Sequence, residues 1–316
     1  MESFRGKRIV VTGGSGFIGS QLTERLVKEG AYPHVIEKSA LKMENLENVR
    51  SHIEFHQADI CDRNKISQII SDVKPSIVFH LAACLKRERD PKIIDQLMDV
   101  NFKGTLNLLD AAKAVSVDRF IFPSTSDVYG SNKSPFVETQ AIDPVSPYSL
   151  SKAAAELACK MYFKIFGVPV VILRPFLTYG PRQKPDLLIP ELIISALSKK
   201  DFKMTKGEQK RDINFVDDLV DAFMAAALKK EAVGETINIG TGNMYRIVDI
   251  VKTILDIMGN PIKPDIGALK YRENEIWEMY CGNSKAKKLI GWEPKTSLSE
   301  GLEKTIKWYS ENWKIN

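Results

Sequence analysis

A short apolar run, Ile9 to Thr12, passes straight into Gly13-Gly14-Ser15-Gly16-Phe17-Ile18-Gly19 and then into a helix-period segment closed by Gly30. Gly14, Gly16 and Gly19 satisfy G-x-G-x-x-G, and Gly13, Gly16 and Gly19 satisfy G-x-x-G-x-x-G. Between a strand and a helix, such glycines allow a tight turn and close backbone approach, so that helix-terminal N–H groups point at a pyrophosphate. The cradle therefore predicts a dinucleotide site formed by Gly13, Gly16, Phe17, Ile18 and Gly19. Glu37 ends the second apolar run, 18 residues after Gly19. A carboxylate there can accept both adenosine ribose hydroxyls and repels a 2′-phosphate, which favours NAD over NADP.

The rest of the first half agrees. Apolar runs at Arg8 to Thr12, His34 to Glu37, Ile53 to Gln57, Ile77 to Leu81, Phe120 to Pro123 and Val168 to Leu173 alternate with helical segments. Those helices are expected at Ile18 to Glu29, about Pro91 to Val115, and Tyr148 to Phe166, the last closed by Gly167. The alternation predicts an α/β fold, a doubly wound parallel Rossmann-like sheet, with a smaller C-terminal α/β substrate domain. Residues 1–174 are expected to form the NAD-binding domain, rejoined by about 211–240 through a helix and a strand (Val233 to Ile239). Residues 175–316 supply mainly the smaller domain, where Leu298, Leu302, Ile306 and Tyr309 repeat at helical spacing. Met161, Tyr162, Phe163, Ile165 and Phe166 are expected in the core.

Composition excludes several classes. The 45 Lys and Arg against 40 Asp and Glu leave a charge of +5 over 316 residues, too dilute for nucleic-acid or membrane binding but suited to an anionic substrate. No apolar run approaches the roughly 18 residues of a membrane span, and the first strand begins too early for a signal peptide, so a cytoplasmic protein is expected. Cys61, Cys84, Cys159 and Cys281 form no C-x-x-C pair and the four histidines show no ligand spacing, so neither disulfides nor a metal are expected.

The chemistry concentrates in two segments. Thr125, Ser126 and Asp127 follow the Phe120 to Pro123 strand, and Tyr148 and Lys152 stand at i and i+4 on a helix, sharing one face. A phenol has a pKa of about 10, and a neighbouring ammonium and a nicotinamide cation would favour the phenolate, making Tyr148 a usable base. Thr125 would add a hydroxyl that shares the substrate proton.

The ordered set of motifs resembles the extended short-chain dehydrogenase/reductases that modify nucleotide sugars. It comprises the Gly13/Gly16/Gly19 cradle, Asp59-Ile60, His80-Leu81-Ala82-Ala83, Asn101 with Gly104-Thr105, Thr125 to Gly130, and Tyr148/Lys152. It continues through Arg174-Pro175-Phe176, Tyr179-Gly180-Pro181-Arg182, Arg211-Asp212 with Asp217-Asp218, and Gly291-Trp292. The resemblance implies that Asp59 and Ile60 hold the adenine, that Leu81, Ala82 and Ala83 lie along the NAD, and that Tyr148 and Lys152 are the catalytic pair. It further implies that Arg211 and Arg272 clamp a nucleotide-sugar diphosphate and that Glu275 touches the nucleotide ribose. Lys86, Thr125, Ser126 and Arg182 complete the implied substrate site, and a homodimer is implied, paired through the Pro91 to Val115 and Tyr148 to Phe166 helices. Relatives often carry Asn where Leu177 stands.

The resemblance implies oxidation of the sugar at C4 to a transient 4-keto species. Return of the hydride to the other face gives a 4-epimerase, the preferred reading. Loss of water by way of a C5 base gives a 4,6-dehydratase, and a uronic acid could decarboxylate. Asp127 separates these outcomes: it is either that base or a turn-stabilising loop acid. A non-catalytic dinucleotide sensor is the remote alternative, disfavoured because Tyr148 and Lys152 are both kept.

Overall fold

The computed structural model describes residues 3–86, 88, 90–272 and 275–313, apart from the side chains of 40–42. Seven parallel strands form the central sheet: β1 (Arg8–Thr12), β2 (Tyr32–Glu37), β3 (Glu54–Gln57), β4 (Ile77–His80), β5 (Arg119–Pro123), β6 (Val170–Pro175) and β7 (Thr236–Ile239). They lie in the order β3-β2-β1-β4-β5-β6-β7. The chain winds outward from β1 one way and from β4 the other, so a crevice opens at the carboxyl ends where the order reverses.

Because successive side chains of a strand face opposite ways, β1, β4, β5 and β6 each feed two cores. Ile9, Val11, Phe79, Ile121, Val171 and Leu173 pack on one face with Leu22, Leu26, Leu219 and Phe223. Val10, Val78, Phe120, Phe122, Val170 and Ile172 pack on the other with Ile66, Ile70, Leu108 and Cys159. The first core is covered by helices Phe17–Lys28 and Val216–Leu228, the second by Arg63–Val73, Gly104–Val115 and Pro147–Phe166. The 216–239 segment thus serves the first sheet, with Ile237 and Ile239 opposite Leu173 and Pro175.

The remaining C-terminal chain builds a third core of Ile189, Leu192, Phe215, Ile250, Ile254, Leu302 and Tyr309, against which Leu298 and Ile306 also pack. Phe17 and Ile18 pack against this cluster too, which couples the glycine cradle to the second unit.

Two expectations change. The Pro91 to Val115 helix is composite: a 3-10 turn (Pro91–Ile93), an α turn (Ile94–Leu97), a π turn (Met98–Lys103) and the α-helix Gly104–Val115. Second, Met161, Ile165 and Phe166 are 42%, 69% and 42% exposed, whereas Tyr162 is buried. The Pro147–Phe166 helix is apolar on two sides, and Ala155, Cys159 and Tyr162 already supply its sheet-facing stripe. Cys61 is exposed, Cys84 half-buried, and Cys159 and Cys281 buried, all as free thiols. Among the described residues no helix is long and apolar enough to cross a membrane.

Candidate active site

The cradle stands at the carboxyl end of β1. Gly13 has φ +69°, and a methyl there would meet the Ala82 nitrogen at 2.7 Å. A methyl on Gly19 would run into the Gly13 carbonyl oxygen, whereas one on Gly16 would meet only that oxygen, at 3.2 Å. The turn is therefore closed on its protein side and open over Gly16, as a pyrophosphate requires. Glu37 Oε1 accepts from the Ser15 N–H at 2.7 Å and from the Ser15 hydroxyl at 2.6 Å, so this carboxylate clamps the loop as well as ending β2. Beside it, Lys38 pairs with Asp59 at 2.8 Å. Burial pushes the Asp59 carboxyl up, but the Lys38 ammonium and the Cys61 N–H outweigh it and hold it below the usual carboxylate range. Ile60 is buried, close under Gly104. Leu81, Ala82 and Ala83 are half-buried along the same edge. The residues present fit a dinucleotide.

The helix carrying Tyr148 and Lys152 begins at a fixed point. Ser146 and Ser149 form a reciprocal capping box, and Pro147 occupies the first turn, where its missing N–H costs nothing. Tyr148 and Lys152 are both buried, 7% and 4% exposed. The Lys152 ammonium lies 4.3 Å from the centre of the Phe122 ring. Burial pushes Lys152 down to about 8, against the opposing pull of Cys159 and Glu156. It is therefore cationic at neutral pH and loses that charge as the pH rises through about 8. Thr125 caps the short turn Ser126–Tyr129, its hydroxyl accepting from the Asp127 N–H at 3.2 Å.

Across the crevice, Arg211 Nη2 pairs with Glu275 Oε1 at 2.5 Å. Burial lowers the pKa of Arg211; Glu275 and the Asp127 carboxylate support its charge, and Arg272 opposes it. Arg211, Glu275, Arg272 and Asp127 are thus one electrostatic group, although they come from three separate segments of the chain. Ser126 is buried with its hydroxyl 3.5 Å from Met279 Sδ. Lys86 is exposed on the loop beyond β4. Arg182 lies elsewhere: its Nη2 pairs with Glu24 at 2.8 Å, and its Nη1 reaches the Ser20 hydroxyl at 3.4 Å. Both partners sit on the helix that leaves the cradle.

The family model described as GDP-mannose 4,6 dehydratase matches residues 10–305. The chain belongs to the NAD-dependent nucleotide-sugar epimerase/dehydratase family of extended short-chain dehydrogenase/reductases. Within this epimerase/dehydratase family it is 33% identical to an uncharacterised UDP-glucose epimerase of Bacillus subtilis, over 96% of this chain and 98% of the relative. It is equally 33% identical to human dTDP-D-glucose 4,6-dehydratase, over 97% of this chain and 91% of that protein. Among solved structures, the UDP-glucuronic acid 4-epimerase of Bacillus cereus, in complex with UDP-glucuronic acid and NAD, superposes with a TM-score of 0.90 at 33% identity. That match covers 97% of this chain and 100% of the other.

Two buried polar residues support this epimerase/dehydratase scaffold. The Asn101 side chain accepts from the Cys84 N–H at 2.7 Å and donates to the Cys84 carbonyl at 3.0 Å and the Ser151 hydroxyl at 2.9 Å. It ties the loop after β4 to the Tyr148 helix from inside the π turn, a place where such turns often mark function. His80 Nδ1 faces the Thr12 hydroxyl at 2.8 Å, and its Nε2 faces the Thr105 hydroxyl at 3.0 Å. Thr105 gives its proton to the Asn101 carbonyl at 2.6 Å, so His80 must donate from Nε2 and accept at Nδ1. Burial, and behind it the Lys152 charge, pushes its pKa down to about 3, so the ring is a neutral strut.

Proposed function

We propose that this chain is an NAD-dependent nucleotide-sugar 4-epimerase. Residues 1–174 with the returning 216–239 segment would hold the cofactor, and the later chain would hold the nucleotide sugar. Bound NAD would supply the hydride acceptor and donor at sugar C4. Tyr148 takes the C4 hydroxyl proton, and Lys152, charged and desolvated, favours the resulting phenolate. The Thr125 hydroxyl shares that proton. Arg211 and Arg272 take the diphosphate, for which guanidinium forks are suited, and Glu275 turns from Arg211 toward the nucleotide ribose. Ser126 and Lys86 line the sugar side of the crevice, while Arg182 holds the second unit on the cradle helix. Gly13, Gly16, Phe17, Ile18 and Gly19 hold the pyrophosphate; Asp59 and Ile60 hold the adenine; Leu81, Ala82 and Ala83 flank the nicotinamide half.

The surroundings of Asp127 carry the preference for epimerisation. Its charge lends Arg211 a weaker support than the ion-paired Glu275 does, and the preceding Ser126 is neutral and turned toward Met279. That arrangement suits a fixed countercharge better than a group that gains and loses a carbon-bound proton. A panel of nucleotide sugars, with products weighed and read by NMR, tests the reading: an unchanged mass with an inverted C4 supports it, and loss of water or carbon dioxide refutes it. In heavy water, the epimerised product should carry no deuterium at C5. Asp127→Asn should keep at least a tenth or so of the rate, a barrier change of at most about 1.4 kcal/mol. C5 deuterium that disappears with Asp127→Asn makes the dehydratase reading the correct one.

Glu37 sets the cofactor preference. With Oε1 occupied by Ser15, Oε2 is left for the adenosine ribose, and the charge opposes a 2′-phosphate. NAD should bind more tightly than NADP, and Glu37→Gln should weaken NAD by roughly ten- to a hundredfold, the worth of about 1.5–3 kcal/mol for a charge-assisted hydrogen bond. Tighter NADP binding by the unaltered protein, measured calorimetrically, would be incompatible with this role.

A second copy of the chain completes the molecule. Leu150, Leu157, Met161 and Ile165 form one exposed stripe, 44%, 54%, 42% and 69% accessible, on the helix of Tyr148 and Lys152. Paired with the Pro91 to Val115 segment about a two-fold axis, it would make a four-helix bundle. Light scattering should return twice 35.5 kDa at micromolar concentration, and Leu157→Glu should shift it to the single-chain mass; a monomer before substitution removes the proposal.

A further inference from the structure

At the edge of the sheet opposite the β6–β7 side, β2 and β3 place His34 beside Glu54 and Ile36 beside His56. Alternation along the strands then puts His34, Glu54 and His56 on a single face. Twenty residues separate His34 from Glu54 in the sequence, so the cluster follows from strand register and not from any local ligand spacing. His34 Nδ1 lies 3.0 Å from His56 Nε2 and 3.4 Å from Glu54 Oε2, and His56 Nε2 lies 3.6 Å from Glu54 Oε1. A four-coordinate ion with bonds of about 2.0–2.1 Å holds its ligand atoms about 3.3 Å apart. The two ring nitrogens and the Glu54 carboxylate oxygens are therefore spaced like the ligands on one face of such a coordination shell.

The imidazoles are nearly parallel, 20° apart with centroids at 5.3 Å, and their facing nitrogens share a hydrogen bond whose proton a bound ion would displace. Burial, ahead of every nearby charge, lowers the pKa of both histidines. Glu54 is 64% exposed at the side chain and leaves an entrance from solvent. The surrounding cleft is lined by Arg8, Tyr32, Lys65, Gln68 and Asp72. Arg8 and Lys65 are balanced by Asp72 and Glu54, so a divalent ion would meet no net positive field.

We propose that His34 Nδ1, His56 Nε2 and the Glu54 carboxylate form a binding site for a zinc-class divalent cation, with the fourth position left to water. Two imidazoles and one carboxylate suit Zn²⁺, Co²⁺ or Ni²⁺ better than Mg²⁺ or Ca²⁺, which require oxygen ligands. The ion would join the two outermost strands, the same pair whose far ends carry Glu37 and lead to Asp59.

Titrating the full chain with CoCl₂, in a Cys61→Ser/Cys84→Ser background that removes the accessible thiols, tests this. One Co²⁺ per chain should bind with the strong visible bands of four-coordinate cobalt, displaced by ZnCl₂. His56→Gln should weaken binding on the order of a hundredfold or more, since outer partners of a metal site alone are worth about ten- to a hundredfold. Glu54→Gln, at an exposed position that leaves the fold intact, should weaken it as well, and MgCl₂ should not compete. No saturable Co²⁺ binding below about 1 mM, binding unaffected by His56→Gln and Glu54→Gln, or binding seen only when the two cysteines are present would each overturn the proposal.

Discussion

Tyr148→Phe should reduce turnover by about 10²–10⁴-fold, the range lost when a positioned proton-transfer group is removed, while NAD affinity and the unfolding midpoint stay near their original values. The ring is buried at the start of a helix held by the Ser146–Ser149 capping box, and phenylalanine fills the same space. Only the oxygen is lost. Single-turnover measurement with a substrate nucleotide sugar separates this from a folding defect, because the variant should bind cofactor with ordinary stoichiometry. A variant that retains most of the rate would remove Tyr148 as the base, and with it the assignment of Lys152 as the charge that favours its phenolate.

The second large effect is on stability and lies on the same helix, at Glu156. Arg174 on β6 is 1% exposed and Glu156 is fully buried. They bond twice, Nε to Oε2 at 3.0 Å and Nη2 to Oε1 at 2.5 Å, and Lys160 adds a third contact at 2.7 Å. The Arg174 guanidinium also stacks 4.6 Å from the Tyr129 ring. Removing Glu156 alone strands a buried cation, so Glu156→Leu should cost about 3–5 kcal/mol in urea unfolding. Removing both, with Glu156→Leu and Arg174→Met, should recover most of that loss, because no charge is then left without a partner. A single-variant loss below about 1 kcal/mol would contradict this, that being the value of an exposed pair. The pH response has a definite sign. Burial pushes the Glu156 carboxyl up, but Arg174 and then Lys160 outweigh it and hold it below its ordinary 4.5. The pair's contribution is thus complete above about 4.5 and disappears as the pH falls through the lower folded value.

What could be read from the chain alone was what local geometry dictates. The cradle was legible because a positive φ at Gly13 and the crowded approach at Gly19 leave no other residue type, and the strands because Ile9-Val10-Val11 must satisfy two cores at once. Tyr148 and Lys152 were legible from helical spacing. The π turn was not, since one extra residue in a turn leaves the surrounding apolar pattern of Leu97, Leu108 and Leu109 unbroken. Nor was the partner of Arg182: the resemblance implies a substrate contact for it, and only the tertiary approach of Glu24 shows its neighbour on the cradle helix. The exposed stripe of Met161 and Ile165 was hidden because periodicity reports an apolar face without reporting what covers it.

The position of β7 has a consequence for how the protein is made. Its residues emerge about sixty positions after β6 ends, behind the helix Val216–Leu228 whose Leu219, Val220 and Phe223 cover Ile121, Val171 and Leu173. At about 5–20 residues per second, a nascent chain spends several seconds with six strands synthesised, the outer edge of β6 open and the part of one sheet face that Val216–Leu228 will cover bare. Such a face and such an edge are the features that recruit a chaperone or a neighbouring nascent chain. The interval between Pro175 and Ile239 is therefore when this protein is most exposed to misassembly on the ribosome, and slow codons placed there would lengthen the hazard.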